Sequence, residues 1–168
     1  MIYAFFRGGL AAMAALLVEI FIATFTSSLP NSASFSSSNQ FPTDPGVLLV
    51  ALSAFIEELI LFASLLGFAF PISLPQRALF VGISAGIGFS LFEASVKILF
   101  LGSNQSASLA FGIIGGGLLH IVTGILLAFS VFFLKHENRP LSFLLLSSAL
   151  MIHFLYNIFA APVLAHII

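Results

Sequence analysis

Eight ionisable or amide side chains interrupt stretches that are otherwise apolar, and they are the residues of this sequence best placed to do chemistry. They are Glu19, Glu57, Glu58, Glu93, Lys97, His120, His153 and Asn157. A carboxylate in such a setting suits a general base. A histidine polarises a water, donates to an oxyanion or binds Zn²⁺. Because the chain has no cysteine and no serine within a nucleophile motif, the set predicts attack by an activated water.

The composition places these residues inside a membrane. Of the 168 residues, 60% are apolar and 7% are charged. A soluble domain of about 150 residues still exposes roughly a third of its chain surface, so a water-soluble enzyme is excluded. Five Lys and Arg residues spread along the chain form no phosphate-binding patch, which excludes a nucleic-acid partner. The sequence therefore predicts an all-α, polytopic transmembrane helix bundle in the cell membrane.

Five stretches are long enough to cross a hydrocarbon core, which takes about 20 helical residues. The predicted spans are residues 4–26, 46–70, 78–101, 108–134 and 141–164. Short linkers make successive helices antiparallel neighbours, whereas the Ser- and Pro-rich segment after the first span predicts an irregular outer loop. We expect a single membrane domain over residues 1–168, with a four-helix core over 46–164 and 4–26 as an additional N-terminal span.

The basic residues orient these spans. Arg7, Arg77, Lys135 and Arg139 all fall on one side of a five-span topology, and the opposite loops contain no Lys or Arg. The positive-inside rule then places the N-terminus in the cytoplasm and the C-terminus outside.

Depth along the helices puts most of the ionisable side chains in one layer. Counted from the outer ends at about 1.5 Å per residue, Glu57, His120 and His153 lie at roughly 16–18 Å. Glu93 lies at about 12 Å, and Asn157 and Glu19 lie at about 10 Å by the same rise. A charged side chain at the bilayer centre costs about 2.5–3.5 kcal/mol and is functional by default. We therefore expect one site between the midplane and the outer half.

Small residues around these side chains indicate that they face other helices. Gly116, His120 and Gly124 recur every four residues on the fourth span, and such stripes permit close helix packing. The alternative is a purely structural role. Glu93 and Lys97 are four residues apart and can neutralise each other, and Glu19 has no motif partner.

Four short motifs stand in order, one on each of the second to fifth predicted spans. They are Phe55-Ile56-Glu57-Glu58-Leu59, Gly88-Phe89-Ser90-Leu91-Phe92-Glu93-Ala94, His120-Ile121-Val122-Thr123-Gly124 and His153-Phe154-Leu155-Tyr156-Asn157. This order resembles the PrsW family of intramembrane proteases, within the wider clan that includes the type II CAAX prenyl endopeptidases. The resemblance covers residues 46–164 and leaves the first span unmatched.

The resemblance implies roles for the matched residues. Glu57 would activate the attacking water, and Glu58 beside it would orient the site. His120 would act with Glu57 on the water or on a metal. His153 and Asn157 would face the developing oxyanion, where preorganised donors are worth several kcal/mol.

The position of Glu93 separates the two branches of the clan. It follows Phe89 by four residues, where CAAX enzymes have histidine, so the resemblance favours the PrsW-like branch. Leu61 and Phe62 stand where the clan usually has Lys or Arg. Three zinc ligands and an open water position can come from one set, Glu57, Glu93, His120 and His153. A metal-free mechanism with Glu and His stays open beside the zinc one.

Three functions are compatible with this sequence. The first is an intramembrane peptidase that hydrolyses a membrane-associated peptide bond, with a membrane-anchored protein or peptide as substrate and the lipid bilayer as surroundings. The second is a catalytically inactive clan member that serves as a membrane scaffold or partner-binding subunit. The third is a proton or cation transporter, which the lack of internal symmetry among the spans disfavours.

Overall fold

The computed structural model describes residues 1–28, 45–67, 73–101 and 106–160 of the chain. Over these residues it is helical, and it contains no strand there. The helices are α1 (Ile2–Ser28), α2 (Pro45–Leu66), α3 (Pro75–Leu101), α4 (Ser106–Lys135) and α5 (Arg139–Leu155), and a π-helical turn (Tyr156–Ala160) continues α5. The predicted all-α class is confirmed.

The helices follow the predicted spans closely, with differences at the ends. α2 ends at Leu66, before the predicted end at residue 70, because Gly67 begins a turn. Hydropathy did not predict this end, because the residues that follow are also apolar. Residues 68–70 lie outside the described part of the chain. So do most of the predicted outer loop and residues 161–164 of the fifth span.

Four helices are long and apolar enough over their described residues to cross a membrane. The four segments are Ile2–Ile22, Pro75–Val96, Ile113–Lys135 and Arg139–Phe159. α2 has 22 residues and is not among these four segments, so its crossing of the membrane stays a prediction. The chain is a membrane protein with the architecture of a polytopic helix bundle.

Burial in this bundle is inverted relative to a soluble protein. Large apolar side chains cover the outside, where Leu99 is 80% exposed and Phe143 is 71% exposed. The interior is an apolar core that also encloses charged and polar side chains, among which Glu58 is 0% and His120 is 2% exposed. Soluble proteins almost never bury a carboxylate so fully without a partner, whereas ionisable residues of membrane bundles face the interior. The exposed apolar surface is therefore a lipid-facing surface.

Antiparallel pairing holds the helices in register. The Nη1 atom of Arg7 on α1 donates to the carbonyl oxygen of Ser64 on α2 at 2.7 Å. The hydroxyl of Ser130 on α4 donates to the carbonyl oxygen of Ser142 on α5 at 2.8 Å. α1 packs against both α2 and α3, α3 against α4, and α2 against α4 and α5. The side chains that project from the middle of α2 to α5 therefore meet in the interior.

Glycines allow α3 to approach the helices on its two sides. A Cβ atom added to Gly82 would lie 2.6 Å from the carbonyl oxygen of Gly124, and one added to Gly86 would collide with the backbone of His120. On the other side, a Cβ on Gly8 would collide with the carbonyl oxygen of Ala85. Such close backbone contacts are typical of small-residue stripes in membrane bundles. They set the distance at which α1 and α4 flank α3.

Adjacent glycines on α1 provide a matched test of this packing. Gly8→Ala is expected to lower the free energy of unfolding by about 1–3 kcal/mol, because the added methyl group overpacks the contact with Ala85. Gly9→Ala is expected to leave it unchanged or raise it by up to about 1 kcal/mol, since Ala is the better helix former. Its Cβ would lie 3.6 Å from the nearest atom.

The comparison is made on denaturation curves of both variants in the same detergent. Equal stability of Gly8→Ala and Gly9→Ala would contradict the close approach of α1 and α3.

Candidate functional site

Four helices each present an acidic or imidazole side chain to the same interior point. Glu57 and Glu58 come from the middle of α2, Glu93 from α3, His120 from α4 and His153 from α5. The two imidazole rings lie edge to face with their centroids 5.2 Å apart. The antiparallel register of the bundle produces this meeting, because it brings the middles of the helices to the same level.

Glu58 and His153 form a buried pair. The Nδ1 atom of His153 lies 2.6 Å from Oε1 of Glu58, and both side chains are almost wholly buried. A carboxylate only accepts hydrogen bonds, so the imidazole donates its Nδ1–H to Glu58. In the neutral ring, Nε2 then carries no hydrogen and has an available lone pair. It lies 3.7 Å from Oε2 of Glu57. The pairing resembles the carboxylate–histidine pairs that orient metal ligands.

His120 lies between two carboxylates. Its Nε2 atom is 2.8 Å from Oε2 of Glu93 and 3.7 Å from Oε2 of Glu57. Glu93 is the acceptor, so the neutral ring carries its hydrogen on Nε2. The Nδ1 atom is buried and has no hydrogen-bond partner among the described residues. The ring of Phe89 covers the imidazole, with the centroids 4.4 Å apart.

The two carboxylate oxygens of Glu57 have different surroundings. The hydroxyl of Ser53 lies 3.0 Å from Oε1, and the same hydroxyl lies 2.8 Å from Oε1 of Glu19 on α1. A hydroxyl has one hydrogen, so Ser53 can donate to only one of these two carboxyl groups at a time. The contact with the other is a hydrogen bond only when that group is protonated and donates to the hydroxyl oxygen. Oε2 is buried without a hydrogen-bond partner in the described part of the chain. Oε2 of Glu58 and Nδ1 of His120 are likewise buried without a partner among the described residues, but Oε2 of Glu57 is the one that lies near both imidazole Nε2 atoms.

Three of the four predicted metal ligands come together. Glu57, His120 and His153 each offer a ligand atom, and these atoms lie within 4.8 Å of one another. In a tetrahedral zinc site with bonds of about 2.0–2.1 Å, ligand atoms are about 3.3–3.5 Å apart. The two 3.7 Å distances from Oε2 of Glu57 to the imidazole Nε2 atoms are close to this value. The fourth predicted ligand, Glu93, is not one of the three and contacts His120 instead.

A cavity of about 110 Å³ lies beside this cluster, between α1, α2 and α3. A single water needs about 10–15 Å³ in the same measure, and it also needs polar partners. Three carboxylates supply those partners within walls that are otherwise apolar. The lining residues are Ala12, Ala15, Leu16, Glu19, Glu57, Phe89, Phe92, Glu93 and Val96. The cavity therefore has room and hydrogen-bond acceptors for several waters next to Glu57.

Among the described side chains, that of Asn157 is the predicted site residue that does not join the cluster. Asn157 is half-buried on the π-helical turn, and it makes no hydrogen bond to the cluster within the described residues. Lys97 lies on α3 one turn after Glu93, and its side chain is outside the described part of the chain. The alternative that Glu93 and Lys97 neutralise each other therefore stays a prediction.

Sequence reasoning did not assign Glu19 and Ser53 to the site. Ser53 precedes Glu57 by one helical turn, which was a usable signal because residues four apart share a helix face. Glu19 was recognisable as an ionisable residue within an apolar span, but it stands outside the four motifs and no spacing within α1 links it to Glu57. Its contact with Ser53 depends on how α1 packs against α2.

The chain has no match among family models, curated proteins or solved structures. The likeness to the PrsW family rests on the four motifs alone, and the chemistry of the site is argued from its geometry.

Proposed function

We propose that this protein is an intramembrane peptidase of the cell membrane, similar to the PrsW family, that hydrolyses a membrane-associated peptide bond with a water activated by Glu57. One observation carries the proposal. Oε2 of Glu57 is buried without a hydrogen-bond partner among the described residues and lies 3.7 Å from Nε2 of both His120 and His153, and the Glu57 side chain lines a cavity with room for water. A membrane-anchored protein or peptide is the proposed substrate.

The first step is attack by water. A water that enters from the cavity and binds between Oε2 of Glu57 and Nε2 of His153, which are 3.7 Å apart, donates one hydrogen to each of these atoms. As the water oxygen bonds to the carbonyl carbon, Glu57 takes its proton. The Nε2–H of His120 donates to Glu93 in this structure, and the carbonyl oxygen takes over this hydrogen bond as it becomes negative. Preorganised donors of this kind are worth several kcal/mol in a low-dielectric site.

The second step is collapse of the tetrahedral intermediate. The C–N bond breaks, and Glu57 returns its proton to the leaving nitrogen, which departs as an amine. The other product carries a new carboxyl group that contains the water oxygen. Glu58 acts throughout by holding His153 in the orientation that directs Nε2 at Glu57. His153 contacts the attacking water rather than the oxyanion, because its hydrogen is on Nδ1 and donated to Glu58, so Nε2 has no hydrogen to donate.

Replacement of the base tests the proposal. Glu57→Gln keeps the size of the side chain and removes its basicity, so kcat is expected to fall by about 10²–10⁴-fold, the usual contribution of a general base. The matched control is Glu137→Gln, at an exposed glutamate in the turn between α4 and α5. This control is expected to cleave at the wild-type rate.

Cleavage is measured on quenched-fluorophore single-span peptides of varied sequence, reconstituted with the protein in phosphatidylcholine and phosphatidylglycerol vesicles. Cleavage that survives in Glu57→Gln would contradict the assignment of the base. A folded wild type that cleaves none of the peptides would favour the scaffold function instead.

A metal-dependent version of the same hydrolysis is favoured by the grouping of Glu57, His120 and His153. Glu57 and His153 fit a zinc ion through the unpartnered Oε2 atom and the Nε2 lone pair. His120 would coordinate through Nε2 only after the hydrogen that it donates to Glu93 had moved to Nδ1. Bound zinc would supply Lewis-acid activation of the water. The two uses of Glu57 exclude each other at Oε2, since an oxygen that coordinates an ion does not take a proton.

Metal content distinguishes the two versions. After incubation with Zn²⁺ and removal of loosely bound ions, the wild type is expected to retain about one zinc per chain if the three residues form a structural or catalytic site. His120→Ala and His153→Ala are expected to lose it, and His136→Ala, at an exposed histidine, is expected to keep it. Elemental analysis of folded protein in mild detergent gives the ratio. A wild type without zinc would overturn the metal-dependent version.

A further inference from the structure

We infer that Glu19 of α1 is a positioning residue for Glu57, acting through the hydroxyl of Ser53. The inference rests on the proposed function, since it assigns a role in orienting the proposed base. It also brings α1, the helix outside the four sequence motifs, into the site.

The hydroxyl of Ser53 does not make the backbone contact that several other serines of these helices make. Ser90, Ser95 and Ser148 each donate to the carbonyl oxygen four residues earlier, at 2.7, 2.7 and 2.8 Å. This backbone contact is the common position for a helical serine. Ser53 instead lies 2.8 Å from Oε1 of Glu19 and 3.0 Å from Oε1 of Glu57. The second carboxylate draws the hydroxyl away from its own helix.

This contact determines which oxygen of Glu57 reaches the imidazoles. With Oε1 held by Ser53, the carboxylate plane is fixed and Oε2 lies at equal distances, 3.7 Å, from Nε2 of His120 and His153. If Ser53 turned back to its helix carbonyl, Oε1 would lose this contact and the carboxylate would be free to rotate. Glu19 thus supports the geometry that the proposed reaction uses, although it does not contact His120 or His153.

The packing of α1 places Glu19 at the required depth. Arg7 on α1 is joined to Ser64 on α2 by a 2.7 Å hydrogen bond. From that point Glu19 is about 18 Å along α1, and Ser53 is about 16–17 Å along α2 in the antiparallel direction, at the usual helical rise. The close contact of Gly8 with α3 holds α1 in this register. Glu19 also lines the same cavity as Glu57 and Glu93.

Three variants test the inference on the peptide vesicles described above. Glu19→Ala and Ser53→Ala are each expected to lower kcat by about 10–100-fold, the usual effect of removing an orienting partner. KM is expected to change less than about two-fold, because Glu19 and Ser53 orient Glu57 and do not bind the substrate themselves. Glu19→Gln is expected to restore kcat to within about three-fold of the wild type, since its amide N–H can donate to the Ser53 oxygen and leave the hydroxyl hydrogen for Glu57.

The double variant Glu19→Ala/Ser53→Ala separates orientation from loss of folding. Because both residues act along one path, the double variant is expected to be no slower than the slower single variant, whereas independent damage would multiply. Glu137→Ala is the matched control for removal of a glutamate. Denaturation curves in detergent accompany each kinetic measurement, and Ser53→Ala carries the test if Glu19→Ala does not fold.

Each outcome decides between the alternatives. A wild-type kcat in Glu19→Ala, or a Glu19→Gln variant as slow as Glu19→Ala, overturns the positioning role while Glu57→Gln still reports on the proposed function. Multiplied losses in the double variant overturn it as well. Absence of cleavage by the wild type overturns the proposed function, and the positioning role with it.

Discussion

A carboxylate inside a hydrocarbon layer must find its hydrogen-bond partners within the protein, and this requirement organises the whole bundle. The side chain of Glu58, for example, is entirely buried, and its Oε2 atom has no hydrogen-bond partner among the described residues, so the contact of Oε1 carries the pairing. Its partner is the Nδ1–H of His153, which comes from a helix almost a hundred residues away in the sequence. Removal of one member of such a pair typically costs about 3–5 kcal/mol. The interior polar contacts thus join helices that lipid would otherwise let separate.

Small residues make those contacts geometrically feasible. Hydrogen bonds between side chains of facing helices require the backbones to be close, and the glycines of α3 permit this on both of its faces. At Gly86 the backbone of α4 that carries His120 lies directly against α3. This approach brings Nε2 of His120 to 2.8 Å from Glu93. The glycines therefore act on the site as well as on the fold, because they set the distance between an imidazole and its carboxylate.

Much of this arrangement follows from elementary properties of the sequence. Hydropathy locates the helices, since a membrane span needs about 20 apolar residues, and the all-α bundle is confirmed. Depth counting is enough to place Glu57, His120 and His153 at one level, which is where the structure joins them. Which side-chain atoms pair with each other could not be predicted from the sequence. Which nitrogen of His153 faces Glu58 depends on the rotation of α5, and periodicity does not determine that rotation.

Other features depend on tertiary contacts that have no local signal. The π-helical turn after Leu155 shifts the register of Asn157 relative to a regular helix, so the face it shares with His153 in the sequence pattern is not maintained through the turn. Glu19 lacked a motif because its partner, Ser53, lies on another helix. Both cases show that faces of single helices are readable from sequence, whereas the contacts between helices require their relative positions.

The central claim is that Glu57 activates a water that attacks the substrate directly. The most direct test is a single turnover of a cleaved vesicle-bound peptide in ¹⁸O-labelled water, followed by mass spectrometry of the product and of the protein. The account predicts one ¹⁸O atom in the new carboxyl group of the product and none in the side chain of Glu57. Label in the Glu57 carboxylate would show that this residue attacks the substrate itself, and it would contradict the claim.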